Sequence, residues 1–194
     1  LPLTEASGAM VTNIAADHLG EYGVNTVEHL ADAKFAVAGT LSKDGVLVLN
    51  ADDELVVRNG LKSGSRICWF SLDHNNDQIK SAKSAGNLCC WCEDGLINYF
   101  DGTSVTLVVK IADIPIAMGG AARFNVQNAM GATCLAKAMN IADQAIIKGL
   151  TTFTSTPDDN PGRCNEFIVK GARVFVDFAH NPHSINAISD MLSN

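Results

Sequence analysis

The chain lacks several sequence features, and each absence excludes or disfavours a class of function. No apolar run approaches the roughly 20 residues of a membrane-spanning helix, so the sequence predicts none. Basic residues are in the minority, with 14 Lys and Arg against 21 Asp and Glu, and the net charge of -7 disfavours a general nucleic-acid binder. No GxxxxGK[ST] stretch occurs, which excludes a phosphate loop of that kind within these 194 residues.

Disorder and export are also disfavoured. Hydrophobic residues make up 47% of the chain and charged residues 18%, as in a folded core. Residues 1–5 show no basic start followed by an apolar segment, so no secretory signal is predicted. The six cysteines lie mostly in apolar surroundings, which predicts reduced, buried thiols in a cytoplasmic protein.

The cluster of Cys89, Cys90 and Cys92 raises the alternative of a zinc site. It lacks the paired Cys-x-x-Cys motifs that such sites use. Alternation along a strand would also direct Cys89 and Cys90 to opposite faces of a sheet. We therefore expect these cysteines to be core residues.

Strand and helix patterns alternate along most of the chain, which predicts an α/β fold. Apolar runs predict strands over 10–14, 46–49, 65–70, 105–111 and 173–177, and Asp94-Gly95 predicts a hairpin within 88–100. Three- and four-residue spacings predict helices over 26–41, with Thr26 as N-cap, 124–140, 141–150 and 183–192. A linker over 151–162 precedes a C-terminal piece too short to bury a core alone.

Polar residues follow the first predicted strand. Thr12-Asn13 and Asp17-His18 would lie at the carboxyl edge of a parallel sheet, where α/β folds bind their ligands. Lys34 lies in the helix that follows. From the residues alone, His18 is either a loop histidine or one ligand of a divalent ion, and Lys34 is a solvated helix residue.

Two further clusters carry amide and carboxylate side chains. Asn50-Ala-Asp52-Asp53 follows a strand and predicts a turn or a helix N-cap. Asn125 and Asn128 are three residues apart on one helix face, after a pair of glycines. An amide donates and accepts hydrogen bonds, which suits the edge of an adenine ring. The alternative is that Asn125 is an N-cap and Asn128 is simply exposed.

The last cluster spans the linker and the final strand. Asn160-Pro-Gly-Arg163 precedes Asp177-Phe-Ala-His180-Asn181-Pro182. The guanidinium fork of Arg163 suits phosphate oxygens. Asp177 could instead cap the helix that follows it.

In this order, the clusters resemble the Mur ligase family of ATP-dependent amide ligases. The matching patterns are TNxxxDHL, GxxNxxN, PGR and DYAHNP, with Phe178 in the place of the usual Tyr. The resemblance covers nearly the whole chain but is loose between 59 and 116. The residues within these motifs are most similar to those of the cyanophycin synthetase branch. Folylpolyglutamate synthetases and the peptidoglycan ligases are the alternative relatives.

The resemblance implies a fold and a reaction. Residues 1–150 would form part of a Mur-ligase-like central domain, with a mostly parallel sheet flanked by helices plus a β-rich segment. Residues 151–194 would form the linker and the first part of a Rossmann-like C-terminal domain. With ATP and Mg2+ as cofactors, a carboxylate would become an acyl-phosphate, which an amino-acid amine attacks. In the cyanophycin branch the amine is arginine and the acceptor is poly-aspartate.

The resemblance also implies site residues. Magnesium would be bound by His18 and, once carbamylated, by Lys34. The nucleotide would be bound by Asn125, Asn128, Arg163, Asp177, His180 and Asn181, with the asparagines near the base, Asp177 at the ribose and the later residues at the phosphates. Catalytic roles would fall on Lys34, Arg163 and His180.

Two expected pieces of such a ligase are missing from the sequence. The phosphate loop is absent, and Glu5 lies too close to His18 to be the family's upstream magnesium ligand. We therefore expect a part of a ligase that needs a missing upstream segment or a partner subunit, besides its nucleotide, amino-acid and peptide substrates. The first residue is not Met, which agrees with a cut or processed chain. The alternative is a non-catalytic fragment, split subunit or pseudo-ligase that binds a nucleotide or a partner. Homo-oligomerisation is left open.

Overall fold

The computed structural model describes residues 5–17 and 19–193. Within these ranges the chain forms eight strands and six α-helices. The strands are β1 (Ala6–Val11), β2 (Leu41–Asn50), β3 (Arg66–Ser71), β4 (Cys89–Glu93), β5 (Leu96–Phe100), β6 (Val105–Lys110), β7 (Asn165–Val169) and β8 (Ala172–Val176). The helices are α1 (Val27–Phe35), α2 (Glu54–Gly60), α3 (Asp77–Ser84), α4 (Arg123–Ala138), α5 (Asp143–Thr152) and α6 (Pro182–Ser193).

Strands β1 to β6 form one sheet in which spatial order equals chain order. β1 to β4 are parallel, and β5 and β6 continue the sheet antiparallel. The predicted α/β architecture, a mostly parallel sheet flanked by helices, is therefore confirmed. The β-rich segment extends this sheet, because the turn at Asp94-Gly95 reverses the chain with φ angles of 51° and 74°. β7 and β8 form a separate antiparallel hairpin.

The helices cover both faces of the sheet. Consecutive parallel strands with right-handed crossovers place their helices on one side, and Ala31, Val56 and Ile79 from α1, α2 and α3 pack together there. On the other face, α4 and α5 bring Met130 and Ile146 against the sheet. β2 is buried from residue 45 to 50, which explains its almost continuous apolar sequence.

Helix α4 approaches the sheet closely at Gly131. A methyl group added there would lie 2.7 Å from Met10 Sδ and 3.4 Å from the Phe70 ring. A residue with a Cβ would require the Met10 side chain or the helix to shift. The contact holds the helix that begins at Arg123 against β1 and β3.

The six cysteines are free. Cys89 and Cys90 pack on opposite faces of the sheet, as strand alternation predicted. Burial raises the pKa of Cys89 to about 12, so this thiol stays protonated at neutral pH. None of the described helices is long and apolar enough to span a membrane.

Several boundaries differ from the sequence prediction. The predicted strand over 10–14 ends at Val11. The predicted helix over 26–41 is α-helical only to Phe35 and continues as a 3-10 turn over 36–40. Gly39 and Val37 have low helix propensity, which explains why the α-helix stops early. Thr26 caps α1 as predicted, and its hydroxyl accepts a hydrogen bond from the His29 N–H at 3.2 Å. Helices α2 and α3 and strand β7 were missed, because such short elements carry little periodic signal.

The Asn50-to-Asp53 stretch ties two connections together. Asp53 is the N-cap of α2, and its Oδ1 accepts from the Val56 N–H at 2.9 Å. Of the two predicted alternatives, a turn and a helix N-cap, Asp53 takes the second. Its Oδ2 accepts from the Ile14 N–H at 2.8 Å. One carboxylate therefore fixes both the start of α2 and the loop after β1.

Replacement of Asp53 by Ala should lower the free energy of unfolding by about 2 kcal/mol, because a helix cap and a second backbone hydrogen bond are lost together. Urea unfolding followed by circular dichroism would measure this. Asp44→Ala, at an exposed position of β2, is the control and should change stability by less than about 0.5 kcal/mol. Equal shifts in both variants would contradict the proposed double role of Asp53.

Candidate functional site

A pocket of about 410 Å³ lies between the start of α4, the loop after β1 and the C-terminal piece. Its polar lining includes Asn13, Asn125, Asn128, Asn160, Arg163 and Asp177. Its apolar lining includes Ile116, Phe124, Phe153 and Ile188. Residues from three separate clusters of the sequence thus share one pocket, at the carboxyl edge of the sheet where α/β folds bind ligands.

The two asparagines of α4 form an ordered pair. Asn125 Nδ2 donates to the Ile116 carbonyl at 2.8 Å, so its Oδ1 is left to accept from Asn128 Nδ2 at 3.3 Å. A carbonyl can only accept, which fixes the orientation of both amides. The N-cap of α4 is Ala122, so the alternative that Asn125 is an N-cap is wrong.

This orientation determines what Asn128 offers to a ligand. Its Oδ1 and its second N–H make no hydrogen bond to the described residues, and the side chain is exposed at the pocket. A neighbouring acceptor and donor match the N6 amino group and N7 of adenine. Guanine presents two acceptors at the same edge and would leave the Asn128 oxygen facing another oxygen.

The linker is fastened by a single buried side chain, Asn165, which is 2% exposed. Its Oδ1 accepts from the Gly162 N–H at 2.6 Å, and its Nδ2 donates to the carbonyls of Ser155 at 2.7 Å and Asn160 at 2.9 Å. These bonds hold the loop that brings Asn160 and Arg163 to the pocket.

Asp177 at the end of β8 is engaged with its own chain. Its Oδ2 accepts from the Cys164 N–H at 2.9 Å and from the Cys164 thiol at 3.3 Å, and its Oδ1 accepts from the Ala179 N–H at 2.7 Å. Burial and the facing carboxylate raise the pKa of Cys164 to about 12, so the thiol remains a donor. Asp177 still lines the pocket, and its Oδ1, which accepts one of these bonds, has a second lone pair for a ligand.

The next two predicted residues lie outside the pocket lining. Asn181 Oδ1 accepts from the Ser184 N–H at 2.9 Å at the start of α6. The residue that caps this helix is therefore Asn181, and not Asp177 as the alternative interpretation of Asp177 had it. His180 Nε2 lies 3.4 Å from Oδ1 of Asp17, which belongs to the loop after β1. The Arg163 guanidinium lies 5.7 Å from the centre of the exposed Phe178 ring.

The predicted magnesium ligands are only partly visible. His18 lies outside the described residues. Lys34 Nζ donates to the Asn13 carbonyl at 2.9 Å, beside the pocket, and as an ammonium it cannot ligate a cation. Across residues 5–17 and 19–193, no group of three or more His, Cys, Asp or Glu side chains could hold a metal ion. The described residues therefore do not fit a complete magnesium site, and we derive no chemical step through the ion.

Sequence reasoning missed several residues of the pocket: Phe124, Phe153, Ser155, Ile188 and Ile116. They lie in a helix, in connecting segments and in the last helix, and no motif marks them. The spacing of Phe153 and Ser155, two residues apart after α5, is the one available signal, since alternate residues of an extended segment share a side.

Comparison with known proteins identifies the family. The Mur ligase middle domain matches residues 3–136, which is more than half of the chain. The chain belongs to the Mur ligase family. The resemblance seen in the sequence motifs is thereby confirmed.

Among curated members of the Mur ligase family, the chain is 35% identical to a cyanophycin synthetase of Synechocystis sp. over 186 residues, which is 95% of this chain and 21% of the relative. It is 30% identical to a UDP-N-acetylmuramate–L-alanine ligase of Clostridium tetani over 189 residues, which is 95% of this chain and 37% of the relative. The chain thus spans about a fifth of the length of the cyanophycin synthetase.

Solved structures of Mur ligases share the fold. MurF from Acinetobacter baumannii superposes with a TM-score of 0.64 at 21% identity, over 97% of this chain and 38% of that one. At this identity the likeness supports the architecture alone. The α/β sheet and the hairpin that follows the linker are therefore those of a Mur ligase.

Proposed function

We propose that this chain is part of an ATP-dependent amide ligase of the cyanophycin synthetase type. In this reaction ATP phosphorylates a carboxylate to an acyl-phosphate, and an amino-acid amine displaces the phosphate to form an amide. The proposed amine is arginine and the proposed acceptor a poly-aspartate chain, by analogy with the curated relatives at 32% to 35% identity. We place the ligase in the cytoplasm, in keeping with its six free thiols.

The observation that carries the proposal is the orientation of Asn128. The bond from Asn125 to the Ile116 carbonyl leaves Asn128 with its Oδ1 as an acceptor and one N–H as a donor at the pocket. The aromatic rings of Phe124 and Phe153 line the same pocket and offer apolar surface to a base. This combination favours adenine over guanine.

The other predicted residues complete the proposal. Asp177 binds the ribose through the lone pair that the Ala179 N–H leaves free on Oδ1. Arg163 would contact the phosphates from the pocket and stabilise developing charge, and His180 and Asn181 would contact them from outside the pocket lining. His18 and a carbamylated Lys34 would hold magnesium together with ligands from outside this chain.

We assign residues 1–150 to the central domain and 151–194 to the linker and the start of the C-terminal domain. The phosphate loop is proposed to come from an upstream segment or a partner subunit, because the sequence has no GxxxxGK[ST] stretch. The same lack favours a second candidate function, a nucleotide-binding module without catalysis. In either case the chain alone should turn over little ATP, and substantial ATP-dependent ligation by the purified chain would contradict this.

Calorimetric titration with ADP and with GDP, both in the presence of Mg2+, tests the nucleotide site. The chain should bind ADP at least about tenfold more tightly than GDP, since a matched pair of hydrogen bonds discriminates between bases by that order. Asn128→Ala should lose most of this preference, whereas Asn87→Ala, an exposed asparagine elsewhere on the chain, should keep it. No binding by the parent, or equal preference in parent and Asn128→Ala, would refute the proposed base site.

A further inference from the structure

One buried hydroxyl group beside the pocket has no hydrogen-bond partner among the described residues. Among the buried side-chain nitrogen and oxygen atoms of the described residues, Ser155 Oγ is the one without a hydrogen bond. Ser155 lines the pocket, and its carbonyl is fixed by Asn165 Nδ2 at 2.7 Å. An unpaired buried hydroxyl is unfavourable, so a native chain that keeps one has a use for it.

The chain around Ser155 determines which part of the pocket the hydroxyl serves. Phe153 and Ser155 both line the pocket, whereas Thr154 between them donates from Oγ1 to Asp159 Oδ2 at 2.6 Å. This alternation places Ser155 on the same side of the segment as the Phe153 ring. Ser155 therefore belongs to the same wall of the pocket as the Phe153 ring, and a rotation of its side chain about Cα–Cβ would present the buried hydroxyl to a ligand.

We propose that the Ser155 hydroxyl donates a hydrogen bond to a ring nitrogen of the bound base and is a specificity-determining contact. This inference rests on the proposed nucleotide site and adds a residue to it. With Asn128 matched to N6 and N7, adenine keeps N1 and N3 as free acceptors, and a hydroxyl is a donor for either. The base thus provides the partner that the protein does not.

Ser155→Ala should weaken ADP binding without lowering the stability of the ligand-free chain. The dissociation constant for ADP should rise about fivefold, because one neutral hydrogen bond is lost. The melting temperature of the ligand-free chain should stay equal or rise by about 1–3 °C, because an unpaired buried hydroxyl is removed. Ser189→Ala is the matched control: it removes an exposed hydroxyl that donates to the Ile185 carbonyl outside the pocket, and it should leave ADP binding unchanged.

Analogues of ADP that lack one ring nitrogen identify the acceptor. Either 1-deaza-ADP or 3-deaza-ADP should bind the parent about fivefold more weakly than ADP, and Ser155→Ala should bind that analogue and ADP equally. If both analogues bind the parent as ADP does, or if Ser155→Ala binds ADP as tightly as the parent, the Ser155 contact is refuted while the nucleotide site stands. If the parent binds no ADP, the proposed base site is refuted and the Ser155 contact with it.

Discussion

Replacement of Asn165 by Ala is expected to abolish measurable ADP binding and to loosen the C-terminal piece. The substitution removes the bonds to Gly162, Ser155 and Asn160, which at about 1 kcal/mol each are worth roughly 3 kcal/mol. The loop over 155–162 would keep fewer bonds, among them that from the Phe178 N–H to the Gly162 carbonyl at 2.8 Å, so two walls of the pocket would lose their geometry. Calorimetry with ADP and limited proteolysis of the linker would measure the two effects.

The design of this experiment separates a local effect from global unfolding. Both tryptophans, Trp69 and Trp91, lie in the central sheet, so their fluorescence reports on that sheet alone. It should be unchanged in Asn165→Ala. The control is Asn165→Asp, which keeps the acceptor for the Gly162 N–H and should retain part of the linker order. If Asn165→Ala binds ADP like the parent, the linker does not shape the pocket.

Replacement of Gly131 by Val should destabilise the chain. The new Cβ would lie 2.7 Å from Met10 Sδ and 3.4 Å from the Phe70 ring, so the Met10 side chain or the helix would have to shift. Overpacking of this kind costs about 2–3 kcal/mol, and a β-branched residue in a helix adds slightly to it. ADP binding should weaken as well, because the same helix carries Asn125 and Asn128.

Gly149 in α5 is the matched control for this prediction. A Cβ added there meets nothing within 4 Å, so Gly149→Ala should stabilise the chain by about 0.5–1 kcal/mol. Chemical unfolding of the two variants should therefore show shifts of opposite sign. A stabilising effect of Gly131→Val would mean that α4 does not depend on close contact with the sheet.

The parts of the fold that sequence predicted are those with a strong local period or a turn of defined chemistry. The buried run in β2, the helix around Asn125 and Asn128 and the Asp94-Gly95 turn are of this kind. The shared edge of parallel strands predicts the position of Asn13 alone, because Asn125 and Asn128 lie in α4 and Asp177 follows the antiparallel strand β8. Short helices such as α2, with an N-cap but few apolar positions, gave no comparable signal.

The rest of the site depends on contacts that propensities do not contain. Cys164 adopts a positive φ of 51°, which is uncommon for a residue with a side chain, and this turn is what directs its N–H to Asp177. The burial of Ser155 Oγ arises from packing between the linker and the pocket. Neither property follows from residue type. The roles of His180 and Asn181 at the phosphates stay predictions.

The sheet order, in which β1 to β6 follow each other in space as they do along the chain, bears on how the protein is made. As the chain emerges during synthesis, each new strand can join the edge left by its predecessor, and no strand has to be inserted between two that are already paired. Pairing between strands that are consecutive in the chain closes short loops, and such local contacts favour rapid folding. The central sheet can therefore be complete up to β6 before the linker and its asparagine clamp have been synthesised, so the nucleotide pocket is the last part of this chain to take shape.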